Sequence, residues 1–358
     1  MAQKFTVLLS VFICLLGSSA RAQKFDSQNL FYITNSKKGI QSFQKHADQI
    51  SIIVPAAYHM GKHGVITGEV SPKILKIARA HHVKVMPIVG TANQDGIHQF
   101  LNDSSAVKRA DNEMAYLAKK YNYYGWQLDL EDINFLDGSS YTTFYRKAAQ
   151  KLHANGFKIS MAVVKFDHEV PPPGHSSYNR WLFENWRGAF QIKKLVQIGD
   201  FISFMTYDEH TAITPPGPVA GIPWMKKMAQ FLQKKQIPMN KVSLGIPTYS
   251  DYWYPAWNKG KGAHSTRSEI SYEHAQKLLN RYDAKLQWMP KQGVHYAHWT
   301  MPNGVFNWLF IEDARSFKKK LNLVPKYGFR GISVWLLGTE DPGIWKVLQH
   351  RVNPIHKN

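Results

Sequence analysis

The sequence predicts an α/β protein of the (β/α)₈ TIM barrel type, with a small α+β insertion between its seventh and eighth strands. Three observations predict it. Apolar, β-branched runs of strand length alternate with amphipathic stretches of helical length, which is the pattern of parallel β/α units. Eight such runs are present, and the chain has the length that eight units closed in a ring normally need. No Gly-x-Gly-x-x-Gly follows an early strand, so an open doubly wound sheet with its dinucleotide fingerprint has no support.

The strands are expected near Leu30–Thr34, Ile50–Pro55, Val83–Val89, Gly125–Leu130, Phe157–Val164, Phe201–Thr206, Val242–Pro247 and Gly331–Leu336. Helices are expected between them. Ser71–His81 opens with Ser-Pro, Ser104–Lys120 has serines at its cap, Ser139–Ala154 follows Asp-Gly, and Glu312–Leu321 precedes the last strand. The span from Ser250 to Ile311 is too long for one helix. It holds a helical piece, Glu269–Tyr282, and strand-like aromatic runs at Val294–Thr300 and Val305–Phe310, so an inserted subdomain over about 250–311 is expected rather than a structureless loop. Pro171-Pro172-Pro173-Gly174 and Thr214-Pro215-Pro216-Gly217-Pro218 read as rigid loops after strands five and six, on the face where barrel active sites sit.

Residues 1–22 read as a cleavable signal peptide, leaving 23–358 as the barrel. Lys4 is the positive start, Phe5 to Leu16 the apolar run, and Ala20-Arg21-Ala22 the small-residue cleavage site. The run is shorter than the roughly 20 residues that span a bilayer, and no other stretch is long and apolar enough. A secreted or periplasmic protein with no stable membrane insertion is therefore expected. The single cysteine, Cys14, lies inside that run. The mature chain thus lacks disulfides, thiolate catalysis and zinc–cysteine sites. Removing the leader takes away Lys4 and Arg21 and no acid, so Lys and Arg fall from 45 to 43 against 25 acids and the net charge from +20 to +18. Such a field draws in anionic polymers. No helix-turn-helix, zinc finger or ribonucleoprotein motif accompanies it, so nucleic acid is not the expected partner and an anionic cell-wall polymer is.

The chemistry is concentrated in Tyr124-Gly125-Trp126-Gln127-Leu128-Asp129-Leu130-Glu131. In a strand, alternate side chains share a face, so Gln127, Asp129 and Glu131 point one way and Trp126, Leu128 and Leu130 the other. Asp129 and Glu131 start from Cα atoms about 7 Å apart, at about 3.3 Å per residue. Two acids so close in a poorly solvated place cannot both ionise easily, which pushes one pKa up. A carboxyl still protonated near neutral pH is what protonating a glycosidic oxygen requires. A half-exposed strand with a solvated polar face is the plainer alternative, but its apolar flanks argue for burial.

Gly-Trp-Gln-Leu-Asp-Leu-Glu resembles the Asp-Gly-x-Asp-x-Asp-x-Glu signature of glycoside hydrolase family 18, the chitinases and related N-acetylglucosaminidases. Tyr124 stands where the family has its first Asp and Gln127 where it has the next, while Asp129 and Glu131 are intact. The resemblance implies that Glu131 is the general acid and Asp129 its partner. Met205-Thr206-Tyr207-Asp208 resembles the family's Met-x-Tyr-Asp motif, with Ser203, Met205 and Tyr207 on one face of strand six. There the Tyr and Asp hold the substrate's N-acetyl group as it attacks its own anomeric carbon, which implies a retaining mechanism without a protein nucleophile. Trp335, in Gly331-Ile332-Ser333-Val334-Trp335, resembles the family's terminal Trp under the cleaved sugar; a core Trp is the equal alternative. Gly245-Ile246-Pro247-Thr248-Tyr249 resembles the seventh-strand motif and places Tyr249 near the cleft.

Tyr252, Trp253, Tyr254, Trp257, Trp288, Trp299 and Trp308 are dense enough to offer flat faces to pyranose rings, with Trp253 the candidate for substrate binding; some of them instead form the insertion's own core. His59-Met60-Gly61-Lys62-His63 and His295-Tyr296-Ala297-His298 have ligand-like spacings but lie in a hairpin and a strand, so no metal is expected, and no cofactor. No Gly-x-Ser-x-Gly elbow supports a serine hydrolase. The expectation is a monomeric, exported glycosidase acting on polysaccharide that contains β-linked N-acetylglucosamine, chitin or peptidoglycan. The anionic character of peptidoglycan suits +18 better. The alternative is a sugar-binding protein on the same barrel that has lost catalysis; Glu131 argues against it.

Overall fold

Eight parallel strands close into a ring. They are Phe25–Ile33, Ile52–Met60, Ile88–Thr91, Gly125–Asp129, Lys158–Val163, Phe201–Phe204, Val242–Pro247 and Gly331–Trp335. Each pairs with the next in chain order, apart from the insertion, and the last pairs with the first through Gln28 opposite Gly331. The computed structural model describes residues 24–354 except 92, 169–173, 175, 259–261 and 303, and no side chains for 256–258 and 262–265. The leader at 1–22, Pro171–Pro173 and the side chain of Trp257 fall outside the described residues.

Alternation along each strand divides two cores. Leu30, Tyr32, Ile52, Val54, Met86, Ile88 and Phe201 fill the barrel interior. Phe31, Ile33, Trp126, Leu128 and Leu130 point outward into the layer of helices. The Trp126 indole, for example, donates to the carbonyl of Met114 at 2.8 Å, in the helix Ser104–Tyr121.

Strand three departs from its expected single run. It breaks into Lys84–Val85 and Ile88–Thr91, because Pro87 between them has no N–H to donate to the ladder. The helix Ser104–Tyr121 is capped by Asp103, whose side chain accepts from the N–H groups of Ser105 and Ala106 at 2.8 and 3.1 Å, rather than by its serines. Between strands seven and eight the chain forms a five-stranded antiparallel sheet, with one helix, Tyr272–Arg281, against it. Tyr252, Tyr282 and Trp299 stack at 4.9–5.7 Å in its core.

Candidate active site

A cleft of about 700 Å³ opens at the C-terminal end of the barrel. Asp129, Glu131, Met205, Tyr207, Asp208, Tyr249 and Trp335 all line it. The structure thus brings together seven of the nine residues singled out from the sequence. Gln127 and Trp253 do not reach it.

Strand four supplies the acids. Pairing ends at Asp129, and Glu131 follows one turn of the pleat further out. Burial, then the charge of Glu131, pushes Asp129 up to about 7. Glu131 is raised too, first by burial and further by Asp208, while Lys165 and the indole of Trp186 pull it back. The pair titrates as a unit and holds a proton beyond the ordinary carboxyl range. Asp129 Oδ1 is buried with no hydrogen-bond partner among the described residues.

Gln127 is fully buried one layer below. Its amide donates to Ser160 Oγ at 2.8 Å and Ser203 Oγ at 3.1 Å, tying strand four to strands five and six. The Ser160 hydroxyl in turn donates to Met86 Sδ at 3.4 Å and so accepts from the amide, while Gln127 Oε1 is buried with no hydrogen-bond partner among the described residues. Tyr124 lies at the opposite end of the barrel under Lys84, whose ammonium sits 4.6 Å from the ring centroid. The seven steps from Tyr124 to Glu131 span about 23 Å at about 3.3 Å per residue of extended chain, which removes Tyr124 from the chemistry.

Strand six ends at Phe204, and the chain then turns so that Asp208 adopts a left-handed φ of 58°. Gly245 allows this turn to lie close: a Cβ there would meet the Phe204 carbonyl at 2.5 Å and the Thr206 nitrogen at 2.7 Å. Tyr207 packs edge-on to Tyr249, with ring centroids 6.5 Å apart, and no described residue hydrogen-bonds its hydroxyl. Asp208 is held firmly. Its Oδ1 accepts from Tyr249 Oη at 2.7 Å and from Arg267 Nη2 at 2.6 Å, and its carbonyl accepts from Lys165 Nζ. Arg267 also donates through Nε to the buried Asp251 at 2.7 Å and lies 3.4 Å from Glu269. Trp335 tilts against Tyr32 at 5.3 Å, and the peptide bond that follows it is cis.

Trp253 corrects an expectation. It is fully buried, and its indole donates to the carbonyl of Gly217 at 3.1 Å, so it supports the loop after strand six instead of meeting a sugar. Arg267 sits directly opposite it across the sheet and reaches the cleft in its place. Sequence reasoning also missed Lys165 and the wall formed by Tyr178, Trp181, Trp186 and Arg187. Arg267 and Glu269 share a strand face by the period-two rule, which was the available signal. The wall comes from a short helix, Ser177–Leu182, followed by the π-helical turn Phe183–Arg187, and neither is long enough to show a period.

A barrel cleft with a proton-retaining carboxyl pair facing an aromatic wall defines a glycoside hydrolase, and comparison with known proteins gives the family. The sequence matches the glycosyl hydrolases family 18 over residues 28–340, and the chain belongs to that family. Among its relatives, the glycosylase YvbX of Bacillus subtilis (strain 168) is 27% identical over 351 residues, 96% of each chain. A cortical fragment-lytic enzyme of the same organism is 22% identical over 322 residues, 88% of this chain and 71% of that one. The spore cortex-lytic enzyme SleL of Bacillus cereus has the same fold, with a TM-score of 0.82 at 21% identity over 94% of this chain and 77% of that one.

The pair has a consequence for stability. Asp129 binds its proton more tightly folded than unfolded, where a carboxyl titrates near 3.8. The folded chain therefore loses stability as pH rises from about 4 to about 7. Asp129→Asn removes that loss. Its melting temperature by calorimetry should gain on that of the wild type steadily across this window. A margin that shrinks with pH would mean that Asp129 is ionised and paired in the folded protein.

Proposed function

We propose that the chain is an exported, retaining glycosidase that cleaves β-linked N-acetylglucosamine in cell-wall peptidoglycan, with chitin as the second substrate. The observation that supports this most is the raised Asp129–Glu131 pair sharing one cleft with Tyr207 and the clamped Asp208. Glu131 gives its proton to the glycosidic oxygen as the C1–O bond breaks. The acetamido oxygen of the same sugar attacks C1, closing a charged five-membered ring that Asp129 steadies through the ring N–H. Tyr207 donates from its free hydroxyl to the acetamido oxygen, and Asp208, fixed by Arg267 and Tyr249, holds the electrostatics of that corner. Glu131, now a carboxylate, takes a proton from the water that reopens the ring, so configuration is retained. Trp335 lines the subsite beneath.

The preference for cell wall draws on the cortical fragment-lytic relative and on the charge of +18 after leader removal. Mass spectrometry of products from chito-oligomers and from purified peptidoglycan tests it: reducing-end N-acetylglucosamine from the wall substrate supports the reading, and cleavage of chito-oligomers alone reverses the preference. Wall binding should also fall steeply between low salt and several hundred millimolar, because salt screens exposed charges beyond about 8–10 Å near physiological strength. Turnover of a short neutral oligomer should barely change over the same range. Salt-independent wall binding, or an equal loss on the neutral oligomer, would show that the basic surface does not recruit substrate.

A further inference from the structure

Among the described residues the cleft is lined by three cations, Lys165, Arg187 and Arg267. Arg267 is neutralised by Asp208, Asp251 and Glu269. Lys165 donates to a backbone carbonyl. Arg187 is different: half-buried at the end of the π-helical turn, its guanidinium forms no hydrogen bond or ion pair with any described residue, and only its backbone carbonyl is engaged, by the N–H of Phe190. Asp167, whose charge it feels, is already taken by Lys227 and His168. Removing a guanidinium from water without pairing it costs stability, so such a group persists where a ligand completes it.

We infer that Arg187, with Lys165 beside it, is the specificity residue for a carboxylate carried by the sugar chain. The inference rests on the glycan reading above and narrows it to acidic glycan. Trp186, next in the chain, interacts with Glu131, so the guanidinium lies along the same wall as the acid. The charge of Arg187 contributes to lowering Lys165 to about 8, behind burial as the main cause, which places the two cations within each other's field. A planar guanidinium fork matches a carboxylate with two parallel hydrogen bonds. A phosphate dianion fits worse, because Asp129, Glu131, Asp208, Glu209 and Glu269 share the cleft and would repel it. Two sources carry the required group: the free lactyl carboxylate of a peptide-stripped muramic residue, and the terminal carboxylate of a stem peptide.

The test compares kcat/KM and calorimetric binding on three forms of glycan: peptide-stripped strands, the same strands with their carboxylates amidated, and strands with stem peptides intact. Wild-type protein should favour free over amidated strands by about 10- to 100-fold, the worth of a hydrogen bond to a charged group. Arg187→Gln should bring that ratio close to unity, and Arg187→Lys should keep part of it. A preference for peptide-bearing over stripped strands assigns the peptide carboxylate as the source. No wild-type preference between free and amidated strands overturns the inference, as does the same ratio in wild type and Arg187→Gln. If the wild type cleaves none of the three, the substrate reading fails, while the binding ratio still decides the role of Arg187.

Discussion

Glu131→Gln should leave the protein folded and lower turnover by about 10²–10⁴-fold, the usual contribution of general acid catalysis. Glu131 lies beyond the end of the strand pairing and lines the cleft, so an amide of the same shape disturbs no packing. What it removes is the proton. Burial and the Asp208 charge hold that proton on Glu131 above the ordinary carboxyl range, so the wild type should lose activity as pH rises through the raised pKa. The Gln variant should lose this alkaline limb together with its rate. Circular dichroism and oligosaccharide binding would remain as in the wild type. Turnover within a few-fold of wild type would remove Glu131 from the role, leaving Asp129 as the acid to examine.

The barrel was legible because buried parallel strands leave a mark in the sequence: unbroken β-branched runs on a repeating β/α rhythm. The acids were legible for a related reason, since polar residues at every second position of such a run have no apolar surroundings to suit them unless chemistry needs them. The aromatic residues of the insertion were harder. Alternation divides Tyr252 from Trp253 but cannot say which face of a two-faced sheet a distant loop will cover, and here the loop carrying Gly217 covers Trp253. Arg267 reaches Asp208 only because strands 250–258 and 262–270 pair and project over the barrel, a contact between residues 59 apart in the chain. Arg187 left no trace at all. A five-residue π-helical turn has no period, and one Arg among 45 Lys and Arg residues looks like any other.

Substrates that lack the 2-acetamido group should not react. If a protein carboxylate were the nucleophile, unsubstituted glucosamine or plain glucose at the cleaved position would still be processed at some rate. The acids available argue otherwise. Asp208 is tied to Tyr249 and Arg267 at 2.7 and 2.6 Å, which lowers its nucleophilicity and its freedom to move. Asp129, pushed up to about 7 by burial and the charge of Glu131, is a poor candidate because it keeps its proton well beyond the ordinary carboxyl range. On the proposed mechanism the acetamido oxygen of the sugar is the nucleophile, and the Tyr207 hydroxyl, which no described residue hydrogen-bonds, is the donor for it. A thiazoline analogue of the cyclised intermediate should then inhibit strongly, since mimics of the transition state and of intermediates like it bind about 10²–10⁸-fold more tightly than substrates. Tyr207→Phe should weaken that analogue more than it weakens a substrate, because the hydroxyl acts on the ring-closed form. Efficient cleavage of cellulose oligomers, or thiazoline binding no tighter than substrate, would place the nucleophile on the protein, and Asp208 would have to leave its clamp to supply it.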